Sequence, residues 1–368
     1  MGEINVFGPT RSLDNCALQM RFTSNIARSR EGEVINGVKP LSILRDRVAR
    51  WLNSAAIRST EGAEVGGIAG QVDAAGRPGF IYGEITGYWL RWASLYAPDR
   101  ALMAAAVDFI ARQWSDVSPA PTRAGVNRDW RNNAVFSFDL AMILRGLADA
   151  APVVGEVPCR TAASLLVPWL ERMISPDGNL SSHLAVRRGE VPDRWSTRCG
   201  PYQAKTASAI LRAPYHWLSP ALLAAARRTL AERRGKAIAH RELHARFYAI
   251  EGILNGGDPL DPGTVLASIG EDGCLPEEIG HPDSLPRADV QAQALRLLCL
   301  WPDAPELVLD SVSNALCHHI RDDGSVTFRI GDPDANVWCA QFAHQALDWL
   351  CYRYGDARSG EPYADSLI

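Results

Sequence analysis

The sequence predicts an all-α protein with the architecture of an (α/α)6 toroid, in which six helical hairpins form an inner and an outer ring. Two observations predict this fold. Nearly all-apolar helical segments alternate with amphipathic ones along the 368 residues, and six of the apolar segments start roughly 40 to 70 residues apart. In addition, Asp-Gly turns in several connecting loops predict short strand or turn excursions at one end of the barrel.

The six apolar segments each open with a polar or aromatic cluster. They are GEITGYWLRWASLYA from Gly83, NNAVFSFDLAMILRGLADA from Asn132, GPYQAKTASAILRA from Gly200, LHARFYAIEGILNGG from Leu243, RADVQAQALRLLCLW from Arg287 and NVWCAQFAHQALDWLC from Asn336. Helices that are apolar on all sides are expected to be buried on all sides. These segments therefore predict the inner ring.

Amphipathic segments, with one charged and one apolar face, lie between the apolar ones. They start near Pro40, Arg100, Cys159, Ser219, Asp261 and Pro305. A helix of this kind keeps one side in water, so these segments predict the outer ring. The stretch DPGTVLASI from Asp261 carries the weakest pattern and predicts only a short helix.

Three loops that lead from an outer to an inner helix share a turn signature. They are SPDGNLSSH at Ser175, GEDGCLPEE at Gly270 and RDDGSVTFR at Arg321. Asp-Gly favours a tight turn, and the residues after it are expected to form short strands. Polar residues then gather where these loops meet the N-termini of the inner helices, which predicts a pocket at that end. We expect one toroid domain over residues 40–355, with an N-terminal extension (1–39) and a C-terminal tail (356–368).

Composition and charge exclude several classes of protein. With 47% hydrophobic residues the chain can bury a large core, while a formal charge of -4 and the lack of a long basic run argue against nucleic-acid binding. No apolar run approaches the roughly 18 residues that insert in a bilayer, and the first residues do not resemble a secretory signal. Eight scattered cysteines without CxxC pairs suit reduced thiols. A cytoplasmic protein is expected, and the excess of Arg over Lys suggests a bacterial genome.

The stretch GGIAGQVDAAGRPGFIYGEITGYWLRW resembles bacterial helical-toroid proteins of the terpenoid-cyclase and six-hairpin glycosidase-like type, which are often associated with polysaccharide biosynthesis. The segments LHARFYAIEGIL, RADVQAQALRL and NVWCAQFAHQALDWL resemble later inner helices of the same group. The resemblance implies the toroid fold and a role in polysaccharide metabolism. Because the group has no single activity, it implies no catalytic residue.

Two carboxylates head apolar segments and are candidates for acid–base chemistry. Glu84 is expected to act as a general acid, a base or a sugar-hydroxyl acceptor, with its pKa raised by partial desolvation. The alternative is a favourable anion at a helix N-terminus. Asp289 follows Arg287 at the head of another inner segment, where an N-cap is the alternative. For hydrolysis, Glu84 and Asp289 are the predicted carboxylate pair.

His244 and Tyr248 lie four residues apart, which places both on one face of a helix. Such a face could supply the base and the acid that abstract and return a proton next to a carboxylate, as elimination or epimerisation of a uronate requires. The alternative is a hydrogen bond within the core.

Other polar and aromatic residues near the helix starts are candidates for substrate binding. The stretch NRDWRNN sets Asp129, Trp130 and Arg131 together, as in a platform on which a sugar ring stacks, although a loop pinned by an ion pair is equally consistent. Basic residues recur near the same starts, and if they converge they predict a pocket for an anion; they are Arg198, Lys205, Arg246, Arg287 and Arg329. The alternative is a set of scattered salt bridges. The remaining candidates are Tyr82, Tyr202, Gln291, Trp338 and Gln341.

Motifs for metals, nucleotides and other chemistries are missing from the sequence. The cluster CHH at 317–319 cannot turn all three side chains toward one ion from a helix, so no metal is predicted. The chain has no Asp-x-Asp-Asp acid motif, no GxGxxG, no P-loop and no Gly-x-Ser-x-Gly nucleophile elbow. No cofactor is expected.

The residues together predict a carbohydrate-active enzyme that acts on an acidic glycan or glycoconjugate by hydrolysis, β-elimination or epimerisation. Two other classes stay open. One is a non-catalytic glycan-binding or scaffold subunit of a polysaccharide-assembly system, which needs an aromatic and basic lining but no carboxylate pair. The other is an isoprenoid-modifying or peptide-modifying toroid enzyme, which needs an apolar, aromatic-lined cavity.

Overall fold

A computed structural model of the chain describes residues 40–115, 117–126, 129–234, 240–281 and 284–368. The predicted N-terminal extension, residues 1–39, lies outside the described residues. Within these ranges the chain forms twelve α-helices, numbered in chain order. They are α1 (Leu41–Asn53), α2 (Gly83–Tyr96), α3 (Arg100–Gln113), α4 (Ser137–Val154), α5 (Glu156–Glu171), α6 (Gln203–Leu211), α7 (Pro220–Arg234), α8 (Leu243–Asn255), α9 (Pro262–Leu266), α10 (Ala288–Cys299), α11 (Glu306–Cys317) and α12 (Val337–Arg353).

The even-numbered helices form a closed inner ring, in which each helix packs against the next and α12 packs back against α2. The outer helices pack against this ring, and α12 is joined by α1 from the other end of the chain. The burial of each helix follows from its sequence pattern. Every residue of α10 is buried, whereas the buried residues of α7 recur at intervals of three or four along one face. The predicted (α/α)6 toroid is confirmed.

Two glycines allow α2 and α4 to approach each other closely. A Cβ atom added at Gly146 would lie 2.2 Å from the main-chain oxygen of Gly87, and one added at Gly87 would lie 2.6 Å from the Cα of Ile143. Real Cβ atoms do not approach main-chain atoms so closely. The helices α2 and α4 can therefore touch because neither Gly87 nor Gly146 has a side chain.

We expect Gly146→Ala to lower the free energy of unfolding by about 1–3 kcal/mol, since the extra methyl forces two packed backbones apart. The cost of this separation outweighs the gain of about 1 kcal/mol in helix propensity of alanine over glycine. Urea unfolding of Gly83→Ala provides the control, because its Cβ would meet only the end of the Ile143 side chain, at 3.1 Å. Equal stability of the two variants would contradict the close approach.

Short strands in the loops join the N-terminal ends of the inner helices. They are β1 (Gln71–Val72), β2 (Ile81–Tyr82), β3 (Arg123–Ala124), β4 (Ala134–Phe136), β5 (His183–Ala185) and β6 (Ala335–Asn336). All three pairings are antiparallel: β1 with β6, β2 with β3, and β4 with β5. The pairing of β1 with β6 links the loop before α2 to the loop before α12, so it closes the ring. The predicted strand excursions at one end of the barrel are confirmed.

The opposite end of the inner ring is filled by the last residues of the sequence. Leu367 and Ile368 are buried in the same core as the inner helices. The main-chain oxygen of Ile368 accepts hydrogen bonds from Lys205 Nζ at 2.9 Å and from Arg296 at 3.0 Å. Between these two cations lies Glu251, 2.6 Å from each. The predicted tail therefore packs against the toroid. None of the helices in the described ranges is long and apolar enough to cross a bilayer.

Candidate active site

A cavity of about 860 Å³ opens at the loop end of the barrel. Each of the six inner helices contributes a residue at or just before its first turns, as the sequence predicts for the pocket. These residues are Glu84, Phe138, Tyr202, His244, Asp289 and Trp338. The closed ring is what brings side chains that are far apart in sequence around one space.

Glu84 and Asp139, which we call the carboxyl pair, lie side by side in the cavity wall because α2 and α4 are in contact. The Tyr82 hydroxyl donates a hydrogen bond to Asp139 Oδ2 at 3.1 Å, and Glu84 is near enough to contribute to the raised pKa of Tyr82. Burial raises the pKa of Glu84 to about 7, against the influence of Tyr82 and of nearby cations. Burial and the neighbouring Glu84 charge raise the pKa of Asp139 well above its usual range. The carboxyl pair therefore retains a proton near neutral pH.

Glu84 and Asp289, the carboxylate pair predicted for hydrolysis, both line the cavity, but the structure also places Asp139 beside Glu84. Asp289 is fully buried, and its Oδ2 lies 2.6 Å from Arg287 and 3.4 Å from the indole nitrogen of Trp338. Burial alone would raise the pKa of Asp289, but the Arg287 guanidinium holds it well below its usual range. Asp289 is a fixed anion and not a proton donor. Sequence reasoning missed Asp139 although FDLAM places an acid in the first turn of an apolar helix, as GEITG does for Glu84.

His244 and Tyr248 share one face of α8, as predicted, and their ring centroids lie 4.3 Å apart. His244 Nδ1 is 2.7 Å from Gln293 Oε1 and 3.4 Å from Asp289 Oδ2. Because the Gln293 amide nitrogen faces Glu251, at 3.4 Å, its oxygen is the atom that faces the imidazole. Two acceptors around Nδ1 place the ring hydrogen there.

The other ring nitrogen of His244, Nε2, receives no hydrogen bond from the described residues, and the side chain lines the cavity. Burial lowers the pKa of His244 to about 4, so the ring is neutral at pH 7. Nε2 then carries the lone pair of a general base. The Tyr248 hydroxyl lies 3.4 Å from that of Tyr88, and burial raises the pKa of Tyr248 well above its usual range.

Seven of the twelve residues predicted to bind substrate line this cavity. They are Tyr82, Trp130, Arg131, Arg198, Tyr202, Arg287 and Trp338. Their side chains include three partly exposed aromatic rings against which a sugar ring could stack, at Tyr82, Trp130 and Trp338. Trp195 adds a fourth that sequence reasoning missed, since it lies in an irregular loop without a helix pattern.

The other five predicted binding residues are not in the cavity lining, which corrects the sequence analysis. They are Asp129, Lys205, Arg246, Gln291 and Gln341. Asp129 is turned toward two arginines, and Lys205 is turned toward Glu251 in the interior of the barrel. Gln291 and Gln341 are wholly buried within their helices, where their side-chain amides find no partner in the described part of the chain.

The predicted basic residues do not converge as free charges. Arg198 pairs with Asp193 at 2.6 Å, while Arg287 and Arg329 are bridged by Glu277 at 2.8 Å each. Lys205 pairs with Glu251. The alternative reading, separate salt bridges, describes this set correctly. Among the described residues, no three His, Cys, Asp or Glu side chains are grouped so that they could hold a metal ion.

No protein-family model matches the chain, and no curated protein is similar to it in sequence. Solved structures do share the fold. An α-amylase from Clostridium perfringens superposes with a TM-score of 0.61 at 10% identity, over 84% of this chain and 97% of that one. The cellobiose 2-epimerase of Bacillus thermoamylovorans B4167 superposes with a TM-score of 0.58 at 12% identity, over 84% and 98%. A glycosidase in complex with glucose gives 0.55 at 14% identity, over 86% and 99%. At such identities these similarities establish the toroid fold, in line with the six-hairpin glycosidase-like resemblance.

Proposed function

We propose that the protein is a carbohydrate-active enzyme that hydrolyses a glycosidic bond with the carboxyl pair. The observation that carries this proposal is the pair itself: Glu84 and Asp139 adjoin each other in a large polar cavity, and their pKa values are raised. Glycoside hydrolysis needs one protonated carboxyl to donate to the leaving oxygen and one carboxylate to act at the anomeric carbon or on water. A purely binding protein has no need of such a pair.

The anomeric configuration of the product distinguishes two forms of this mechanism. Retaining glycosidases hold their carboxyl groups about 5–5.5 Å apart and use one of them as the nucleophile, whereas inverting ones leave about 6.5–9.5 Å for a water molecule.

A second candidate is epimerisation with His244 as the base. It is favoured by the tautomer of His244, whose Nδ1 hydrogen is held by Gln293 and Asp289 so that Nε2 can accept a proton. In this reaction Nε2 would remove a proton from a carbon next to a carbonyl or carboxylate, and return of a proton to the other face would complete it. Both chemistries occur among solved structures of this fold, as a cellobiose 2-epimerase and glycosidases.

The substrate that we propose is an acidic glycan, as expected from the sequence. A role in bacterial polysaccharide biosynthesis and a cytoplasmic location remain predictions from sequence. Elimination, in contrast to epimerisation, would leave an unsaturated sugar that absorbs in the near ultraviolet, so the three reactions have different products.

Mass spectrometry and NMR of products from a panel of neutral and acidic oligosaccharides would test the proposal, with Glu84→Gln and His244→Asn beside the wild type. New reducing ends that disappear in Glu84→Gln and persist in His244→Asn are expected for hydrolysis, and their anomeric configuration separates retention from inversion. An isomer of unchanged mass that disappears in His244→Asn would favour the epimerase. Thermal stabilisation by a glycan without any product would overturn both reactions in favour of a binding protein.

The pH dependence of hydrolysis gives a further prediction. If a protonated member of the carboxyl pair is the acid, kcat should fall as pH rises above about 7, since the pKa of Glu84 is about 7. The Tyr82 hydroxyl lowers the pKa of both carboxyls. Removal of the hydroxyl in Tyr82→Phe should therefore move the fall in kcat to higher pH. Tyr202→Phe is the control, because that hydroxyl bonds only to main-chain oxygens. If kcat falls at the same pH in Tyr82→Phe and in the wild type, neither member of the carboxyl pair is the general acid.

A further inference from the structure

We propose that an anionic group of the sugar substrate binds at Arg123, Arg131 and Arg194, which we call the arginine cluster. The inference rests on the proposed function, because it assumes a glycan in the cavity. Of these three arginines, the sequence analysis named only Arg131, as part of the NRDWRNN stretch. The class of ligand that fits is a glycan with a uronate carboxylate, which a guanidinium can bind with two parallel hydrogen bonds.

The arginine cluster surrounds an aromatic platform in the cavity wall. The guanidinium carbons of Arg131 and Arg194 lie 4.5 and 5.7 Å from the ring centroid of Trp130. Arg123 lies 4.1 Å from the ring centroid of Phe80 and 5.8 Å from that of Tyr82. All three arginines line the same cavity. A sugar ring bound beside Trp130 would therefore meet the guanidinium groups that lie over the indole.

The cluster carries more positive charge than its neighbours neutralise. Arg123 and Arg131 share a single carboxylate, that of Asp129, at 3.2 Å each. Arg194 is exposed and has no carboxylate partner among the described residues. Arg123 Nε is buried and finds no acceptor in the same part of the chain. Two of the three positive charges are thus left without a carboxylate, and the exposed Arg194 offers its N–H donors to a ligand.

The opposite wall of the cavity has the reverse charge. This wall is formed by the loops before α8, α10 and α12 and by the start of α10. It includes six acidic residues: Glu242, Glu277, Glu278, Asp289, Asp332 and Asp334. Arg287 and Arg329 offset the charges of Glu277 and Asp289, and the other four acids leave this wall with a net negative charge. An acidic sugar is therefore repelled from one wall and attracted to the other, which orients it in the cavity.

The cluster adjoins the carboxyl pair. Arg123 lies against Tyr82, whose hydroxyl bonds to Asp139, and the charges of Arg123 and Arg131 lower the pKa of Glu84 and of Asp139. The charged sugar is thus placed at the reacting bond or next to it, rather than at a distant subsite.

The test is a comparison of D-glucose with D-glucuronate, which differ only at C6 and present both anomers in solution. The binding of each sugar is measured by NMR titration of two proteins, the variant Glu84→Gln and the double variant Glu84→Gln, Arg194→Ala. The change at Glu84 prevents hydrolysis during the titration. Glucuronate is expected to bind about tenfold more tightly than glucose, from charge-assisted hydrogen bonds. This preference should fall severalfold in Arg194→Ala and weaken as salt is raised.

Arg198→Ala is the matched control, because Arg198 is also an exposed arginine of the cavity lining but is paired with Asp193. It should leave the preference unchanged. Equal binding of the two sugars, or a preference that Arg194→Ala does not alter, would overturn the inference and leave the proposed function standing. Failure of both sugars to bind, together with the absence of any glycan product, would overturn the two together.

Discussion

Glu84→Gln is expected to lower kcat by about 10²–10⁴-fold, the usual contribution of a general acid or base, or by more if Glu84 is the nucleophile. The amide has nearly the shape of the carboxyl, so it keeps the packing at the start of α2. Unlike the carboxyl, the amide can neither donate an acidic proton to the substrate nor act as an anion. Substrate binding should change little, and the loss should appear in kcat rather than in KM.

The stability of the same variant separates a catalytic from a structural role. Burial raises the pKa of Glu84 above its unfolded value, so ionisation of Glu84 destabilises the folded state. The wild type should lose stability as pH rises from about 4.5 to about 7, and Glu84→Gln should lack that loss. At pH 8 the variant is therefore expected to be at least as stable as the wild type. Glu278→Gln, at another acid of the cavity lining, is the kinetic control. Full activity in Glu84→Gln would exclude the carboxyl pair from catalysis.

Glu251→Gln is expected to lower the free energy of unfolding by about 3–5 kcal/mol, the usual result of breaking a buried ion pair from one side. Glu251 and Arg296 are fully buried, and Lys205 is almost so. Loss of the carboxylate leaves two buried cations without their anion. Burial already lowers the pKa of Lys205 to about 8 with Glu251 in place.

Urea and thermal unfolding would measure this effect, with Asp193→Asn as the control. Asp193 and Arg198 form an exposed pair, so its loss should leave the unfolding midpoint nearly unchanged. A second change, Lys205→Met, should restore part of the stability lost in Glu251→Gln, because it removes one of the unpaired cations. Similar midpoints for Glu251→Gln and Asp193→Asn would show that the buried network does not hold the barrel together.

The architecture was predictable because it depends on local pattern. The spacing of apolar residues marks each helix as wholly or half buried, and the regular alternation of the two kinds indicates two rings. The position of Glu84 at the cavity followed from the same pattern, since the N-termini of the inner helices meet the longest loops. Even the weak helix expected after Asp261 is present, over only five residues, Pro262–Leu266.

The partners of individual charged residues were not predictable in the same way. The sequence analysis chose Glu84 and Asp289 as the carboxylate pair because each lies at the start of an inner helix. It did not consider Asp139, which lies within an apolar segment. Lys205 was expected in the pocket, but its long side chain reaches Glu251 in the interior. Which residues meet across a ring depends on how each helix is rotated and how far it is shifted along its axis. A change of one residue turns a side chain by about 100°.

The sequence by itself thus determined the helices, their order in two rings and the end of the barrel where polar groups collect, because burial and turn preferences act over a few neighbouring residues. Only the tertiary structure decided that Glu84 adjoins Asp139, that Asp289 is paired with Arg287, and that positive charge remains around Trp130. Such contacts join residues from different hairpins. Their energies depend on distance and desolvation, and both arise only when the ring closes.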